Sequence, residues 1–419
     1  MRIFEWFFYL TVLLLPTQLG VHFWPDWTLV LGRRVDYLSP TIFLTDITIL
    51  ITICTWFAQT NAIKNLVKTF WQYKLVSFIT ITLIALNCFF SSNPILSILK
   101  WAKVLEYILF FYVIYVSKPS LRKTVYCFGI ALLYSSVIAI SQFFMQHTLG
   151  GIFWFLGERT FSIDTPGIAK VNWCWPSKTQ CIELLRPYAT LPHPNILGGF
   201  LATTIPLILL QLKKTRILSA QIFLITSIVF GLCALGITFS RGAWIIGTAL
   251  FIGVFAWSKT KKKWVIWIMS SMTIVFGFLF AWPYIQTLNK TNESVFIRLD
   301  LAQAALQLFL SHPYTGIGLG TFLPNLPAIL QIRDLYFLQP VHNIYLLLLS
   351  ETGSIGVLLI GIVAYIYKKM KRPQGAWALY IPSIALCLLG LIDHYPFTVQ
   401  QGQLLMTCFF ALPFLKKNS

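Results

Sequence analysis

Charge is what this 419-residue chain has least of. Asp and Glu together number 13, and charged residues of either sign make up 11% of the sequence, against roughly 25% in an ordinary soluble domain. A soluble chain of this length would form two or three domains with charged exteriors, and the composition excludes that. Clustered carboxylates that would hold a divalent cation are absent, and so are Cys-x2-Cys pairs. There is no phosphate loop either. Gly316-Ile317-Gly318-Leu319-Gly320 follows no strand, lacks the Lys-Ser/Thr step and breaks the Gly-x-Gly-x-x-Gly spacing. It reads instead as a tight turn. No repeat, heptad or long low-complexity stretch is visible.

What the chain has instead is apolar length. Residues are 57% hydrophobic and 16% aromatic. Runs of about 17–25 apolar residues, enough to span a bilayer, fall near 3–20, 42–58, 74–90, 99–116, 123–145, 193–212, 217–239, 242–257, 264–282, 343–367, 376–392 and 396–415. The fold class is therefore an all-α polytopic integral membrane protein with about 12 transmembrane helices. The first run lacks an Ala-x-Ala-like cleavage site and precedes further spans, so it reads as an uncleaved helix. A net charge of +19 would suggest nucleic acid in a soluble protein. Here most Lys and Arg sit in alternate connections, at 64–74, 118–123, 213–216, 259–263, 368–372 and 416–417, where Asp and Glu are missing. The positive-inside rule then puts both termini in the cytoplasm and the large loops 146–191 and 283–341 outside. The basic excess reports topology and attraction to anionic lipid, not nucleic acid.

Charge inside the spans needs a partner or a role. Asp46 lies in the second span; Glu106, in the fourth, is one turn from Lys103, which reads as a local ion pair. External residues 21–40 carry Trp24 and Trp27, typical interface anchors, with Asp36, Arg33 and Arg34 on a solvated loop unless the two arginines touch an anionic lipid carrier. The Gly, Pro and mixed charge of 146–191 read as loop with short helices at most. Cys174 and Cys181 alone among the cysteines face outside; they form a disulfide in an oxidising compartment or stay as thiols. Arg186 and His193 either line a cavity or serve the helix start at Pro194-Asn195.

Three further elements carry the chemistry. Arg241, in Ser240-Arg241-Gly242, stands at the outer boundary with no carboxylate near it in sequence. Lipid phosphate or a distant carboxylate would satisfy it, and so would a substrate diphosphate, which a guanidinium grips bidentately. Residues 294–311 have a helical period whose Phe296, Leu299, Leu306 and Leu310 face is expected to pack on the membrane domain; Arg298 lies in its first turns and Asp300 points elsewhere. His342-Asn343 heads an apolar helix after Pro340. His342, Leu346, Leu349, Gly353 and Gly356 share a face, and the glycines suggest close helix packing. Glu351 faces away, about 13 Å deeper, and has no evident role. Asp393-His394-Tyr395-Pro396 forms another external edge.

His342-Asn343 with Gly353 and Gly356, the Arg298…His312-Pro313…Gly316-Ile317-Gly318-Leu319-Gly320 element, Ser240-Arg241-Gly242 and His193-Pro194-Asn195 together resemble the O-antigen ligase and polymerase family. The resemblance is specific over about 225–361. It divides the chain into an N-terminal transmembrane bundle (1–224), a signature region (225–366) and a C-terminal transmembrane pair (367–419). The resemblance implies a multi-pass protein of the bacterial cytoplasmic membrane. It would join a polyprenyl-diphosphate-linked glycan, carried on undecaprenol for example, to a glycan, lipid or protein acceptor without a cofactor or metal. Within it His342 would be the general base, Arg241 and Arg298 would stabilise the diphosphate, and Arg186, His193, Asn343 and Asp393 would contribute weaker substrate contacts. A transporter or lipid-linked glycan flippase and a non-catalytic envelope scaffold compete. The first should put its ionisable groups at the bilayer midplane, and the second gives no reason for arginines at the external boundary.

Overall fold

The computed structural model describes residues 2–59, 62–174, 181–256, 293–330, 338–371 and 377–416, and among them helix predominates. Among the described residues four helices are long and apolar enough to cross a bilayer: α6 (Leu121–Met145), α7 (Pro194–Leu212), α8 (Leu218–Ile237) and α12 (Ile344–Lys369). A fifth is gained if α3 (Ala62–Gln72) and α4 (Lys74–Phe89), bent by 84°, count as one span. The chain is thus a mostly helical membrane protein, consistent with the all-α class expected, though these helices alone do not reach the twelve expected. The other expected spans are helical but short, or charged. They are α1 (Ile3–Leu13), α2 (Leu44–Phe57), α5 (Pro94–Ser117, with Lys100, Lys103 and Glu106), α9 (Arg241–Ala256), α13 (Ile381–Leu389) and α15 (Gln400–Ala411). The expected span 264–282 and the basic cluster 259–263 lie outside the described residues.

Helix starts follow local chemistry. Asn93 caps α5 through the Leu96 N–H, Ser120 caps α6 through Lys123, and Asn343 caps α12 through Tyr345 and Leu346. Proline occupies the first turn of α5 and α7, where its missing N–H is no loss. The main core draws on α1, α2, α5–α9, α13 and α15, so all three segments of the sequence contribute to it. Inside it Lys103 bridges Asp46 at 2.5 Å and Glu106 at 3.0 Å. The local pair read from sequence is there, and Asp46 completes it from another helix.

A second core lies under α10 (Glu293–Ser311), where Leu301, Ala304, Ala305 and Leu308 pack with Ile317, Phe322 and Leu347. The buried face differs from the expected one. Phe296, Leu299, Leu306 and Leu310 are all exposed, Leu310 at 66%. This helix is apolar on more than one side, so periodicity does not choose the face. The small Ala304 and Ala305 do, by admitting α12 closely.

Gly353 also departs from expectation. It does not pack helix on helix but breaks α12, with φ 56° and ψ −148°, a conformation that favours glycine. The turn after α10 inserts its backbone there. Ser354 N–H donates to Pro313 O at 2.9 Å and Ile355 N–H to Tyr314 O at 3.1 Å; in return Ile317 N–H donates to Ser350 O at 3.1 Å and Gly318 N–H to Glu351 O at 2.9 Å. Asn87 of α4, fully buried, locks the joint with four hydrogen bonds. Its amide donates to Thr315 O and Glu351 O, and its oxygen accepts from Trp101 Nε1 and Leu319 N–H. The Glu351 carboxylate accepts the Phe322 N–H at 3.2 Å. Glu351 is thus a brace for the turn.

The 146–191 segment contains more order than its composition suggested. Lys170–Cys174 and Cys181–Leu185 form an antiparallel ladder with Cys174 opposite Cys181. Cys181 is disulfide-bonded, and six other cysteines are free. The ladder follows from β-branched and aromatic residues, Val171, Trp173 and Ile182, which fit a pleated surface.

Gly353→Ala should destabilise the detergent-purified protein by about 1–3 kcal/mol. A Cβ there would lie 2.6 Å from Tyr314 O. Gly361→Ala, on the same helix but in open space, is the control. Equal unfolding midpoints for the two variants would refute the joint.

Candidate active site

Three chain segments meet at one end of the bundle, and small residues let them do so. A Cβ on Gly198 would lie 2.9 Å from those of Ser240 and Ala243, and one on Gly199 would lie 1.6 Å from the Tyr395 hydroxyl. The head of α7 therefore packs closely against the start of α9 and the turn after α13. That turn also holds the head of α12: Ile344 N–H donates to Gly390 O at 2.8 Å, and Asn343 Nδ2 to Leu391 O at 3.2 Å.

A hydrogen-bonded chain runs through the meeting point. Arg186 donates from Nε to Thr238 O at 2.8 Å and from Nη2 to Asn195 Oδ1 at 2.7 Å. Asn195 Nδ2 donates to Asp393 Oδ2 at 3.0 Å, and the His394 N–H donates to Asp393 Oδ1 at 2.8 Å. His193 caps α7, its Nδ1 accepting the Asn195 N–H at 3.1 Å. The neutral ring therefore carries its proton on Nε2. The cap is His193 itself, which leaves the Asn195 side chain free to bridge arginine and aspartate.

His394 sits between two rings. His342 stands 5.2 Å away and Tyr37 5.3 Å away, centroid to centroid, both edge-on. Its Nδ1 lies 2.7 Å from Thr398 Oγ1. His342 Nδ1, by contrast, is buried without a hydrogen-bond partner. An unpaired buried polar atom is costly and calls for an explanation.

Electrostatics divides the roles. Burial opposes ionisation of Asp393, but the three histidines and the Asn195 hydrogen bond outweigh it and hold the carboxyl below its ordinary range. Burial depresses all three imidazoles. Asp393 opposes the depression in each, and the Arg298 charge reinforces it at His342 and His394. For His394 the balance falls at about 4. At neutral pH the site holds one carboxylate among uncharged imidazoles.

The remaining candidates fall around this centre. Arg298 is exposed on α10, its field reaching both His342 and His394. Arg241 is exposed at the first position of α9, beside Gly242, on which a Cβ would lie 2.4 Å from Ile392. Asn343 caps α12, and Arg186 holds Thr238 and Asn195. Both build the site by structural bonds. His394, Asn195 and Tyr37 were not singled out from sequence. The first two lie beside chosen residues, in the Asp393-His394 and His193-Pro194-Asn195 motifs, whereas Tyr37 gave no signal because its contact spans most of the chain. Among the described residues no group of three His, Cys, Asp or Glu is arranged to hold a metal ion.

Arg241, Arg298 and His342 all fall in one stretch of chain. Residues 226–361 match the O-antigen ligase family model. The family resemblance seen in the motifs is thus shared by the chain's whole central region. The O-antigen ligase match takes in α9, α10, the inserted turn and the break in α12. It leaves Arg186, His193, Asp393 and His394 outside. No curated protein and no solved structure matches the chain.

The buried histidines predict an acid-sensitive fold. Above pH 6.5 His394 is uncharged whether folded or unfolded. As pH falls from 6.5 toward 4, the unfolded chain takes up a proton that the folded one refuses, and stability is lost. The unfolding midpoint should drop through that window, with a shallower drop for His394→Gln. An equally steep drop in the variant would place the titration elsewhere.

Proposed function

We propose that this protein is a glycosyltransferase of the bacterial cytoplasmic membrane. It joins a glycan carried on a polyprenyl diphosphate to an acceptor hydroxyl on the external face, inverting the anomeric centre and using no metal. The observation that carries this reading is His342 Nδ1, buried and unpartnered, beside the Asp393 carboxylate in a chain that matches O-antigen ligases.

The chemistry follows from those positions. An acceptor O–H attacking the anomeric carbon must lose its proton, and the neutral His342 imidazole accepts it at Nδ1. The imidazolium that forms is stabilised through space by Asp393, whose own oxygens are held by Asn195 and the His394 N–H. On the opposite face the carbon–oxygen bond to the diphosphate breaks, and negative charge grows on the leaving group. We assign its stabilisation to Arg241 and Arg298, since guanidinium forks match phosphate oxygens. Single-step displacement inverts configuration. Positive-inside charge puts this end of the bundle outside and both termini in the cytoplasm.

The transporter reading has two observations in its favour, a broken helix and buried charges inside the bundle. Yet the break at Gly353 is filled by the chain's own turn, and Asp46, Lys103 and Glu106 pair with one another. The break is closed to a substrate, and the charges are engaged with one another.

His342→Ala should bind the lipid-linked donor without transferring its glycan. Arg241→Ala and Arg298→Ala should lose binding and transfer, each by about 100-fold or more. EDTA should have no effect. Because burial lowers the pKa of His342, activity should persist at pH 6.5 and fall only below it. Full transfer by His342→Ala, or loss in EDTA restored by Mg²⁺, would defeat the mechanism. For orientation, reporter fusions after Lys263 and Arg372 should read cytoplasmic and those near Asn325 external. A cytoplasmic signal at Asn325 would put the site on the wrong side.

A further inference from the structure

A cavity of about 760 Å³ opens between residues 33–43, the first turns of α5 and residues 398–403. Its volume falls within the roughly 300–1,000 Å³ of small-ligand sites. It shares a wall with the histidine cluster. Tyr37 and Thr398 both line it, and both touch His394, by ring edge and by hydrogen bond. Pro192 and Gln339, also in the wall, lead in sequence to His193 and His342.

Two properties of this wall define its ligand. The first is charge. Basic side chains outnumber the acidic Asp36, and Asp36 is already bridged by Arg159 at 3.2 Å. Lys100 Nζ reaches the Tyr37 carbonyl at 2.6 Å, and the Arg34 guanidinium stands 5.6 Å over the Trp24 ring. The second is an unmet need for donors. Gln18 and Gln401 spend their amide N–H groups on Leu191 O and Thr17 O, while both side-chain oxygens are buried with no hydrogen-bond partner. Such oxygens accept O–H groups. A phospholipid headgroup would answer the charge but brings acyl chains that need an apolar path.

We propose that this cavity is the acceptor subsite and takes a saccharide that carries a negative charge. Its hydroxyls face the Gln18 and Gln401 oxygens and its anionic group faces Arg34 and Lys100. This rests on the glycosyltransferase reading, because a sugar here would present its hydroxyl to the histidine cluster across Tyr37 and Thr398.

The test is a binding titration without donor. Protein in zwitterionic nanodiscs is mixed with fluorescein-labelled trigalacturonate, or with its methyl ester, which keeps the hydroxyls and loses the charge. The acid should bind about tenfold tighter than the ester, less so in high salt. That preference should fall by about tenfold in Arg34→Gln and return in Arg34→Lys. Equal affinity for acid and ester, no binding of either, or an Arg34→Gln variant that keeps the preference would each overturn the subsite. Displacement of the acid by phosphatidylglycerol vesicles would reassign the cavity to lipid and overturn it too. Binding of the acid by a protein that never transfers glycan from a lipid-linked donor would uphold the subsite and sink the glycosyltransferase reading alone.

Discussion

Backbone meets backbone where the turn after α10 enters the break at Gly353, and the geometry of this end of the molecule depends on that joint. An apolar helix crossing lipid has no spare hydrogen-bonding groups, because its backbone is paired within itself. Breaking α12 frees N–H and C=O groups in the interior, and each would be costly to leave bare. The turn supplies their complements: Pro313 and Tyr314 carbonyls for Ser354 and Ile355, and Ile317 and Gly318 amides for Ser350 and Glu351. The broken helix and the loop thus specify each other. The loop's other end is α10, so the same exchange sets where Arg298 stands relative to His342. Asn87 and Glu351, polar groups inside an apolar bundle, make sense only as supports for that exchange.

Around the histidines the controlling quantity is a single negative charge. Three imidazoles in one buried site would each resist protonation, through desolvation and through the others. Asp393 offsets this without abolishing it, so the rings stay neutral yet one of them has a counter-ion at hand when it takes a proton. The carboxylate is held by Asn195 and by the backbone of its own neighbour, so it need not bond His342 to influence it. His193 and His394 are occupied, the one with capping α7 and the other with Thr398. Of the three, His342 is the one with a ring nitrogen buried without a hydrogen-bond partner.

The sequence was most legible where a rule is local. Among the described residues helices stand within the apolar runs, Lys103 and Glu106 pair one turn apart, and His342-Asn343 heads its helix with Asn343 as the cap. The glycines of 316–320 form the turn they suggested, with φ of 66°, 105° and 81°. Illegible features needed a partner distant in the chain. Asp46 joins Lys103 across helices, Tyr37 meets His394, and Asn87 meets the inserted turn. None is visible to spacing. The buried face of α10 misled for a different reason: its outward stripe is as apolar as its inward one, so hydrophobic period carried no information there. Gly353 misled because one residue type serves both close packing and positive φ, and only the neighbour tells which.

How the site is divided between matched and unmatched sequence bears on what the protein distinguishes. The stretch that matches O-antigen ligases supplies His342, Arg241 and Arg298, the residues to which the proposed mechanism gives the base and the grip on the diphosphate. Asp393, His394, Asn195 and Tyr37, with nearly all of the cavity wall, come from outside it. A common reaction needs a common base and a common grip on the leaving group, whereas acceptors differ in size, charge and hydroxyl geometry. Selection for a particular acceptor would then act on the loop at 21–40 and on the residues after α13, and leave the central region alone. The physical link between the two parts is short. Tyr37 and Thr398 both face the cavity and touch His394, which in turn contacts His342. A ligand in the cavity would therefore act directly on the rings beside His342, without any long-range change in the bundle.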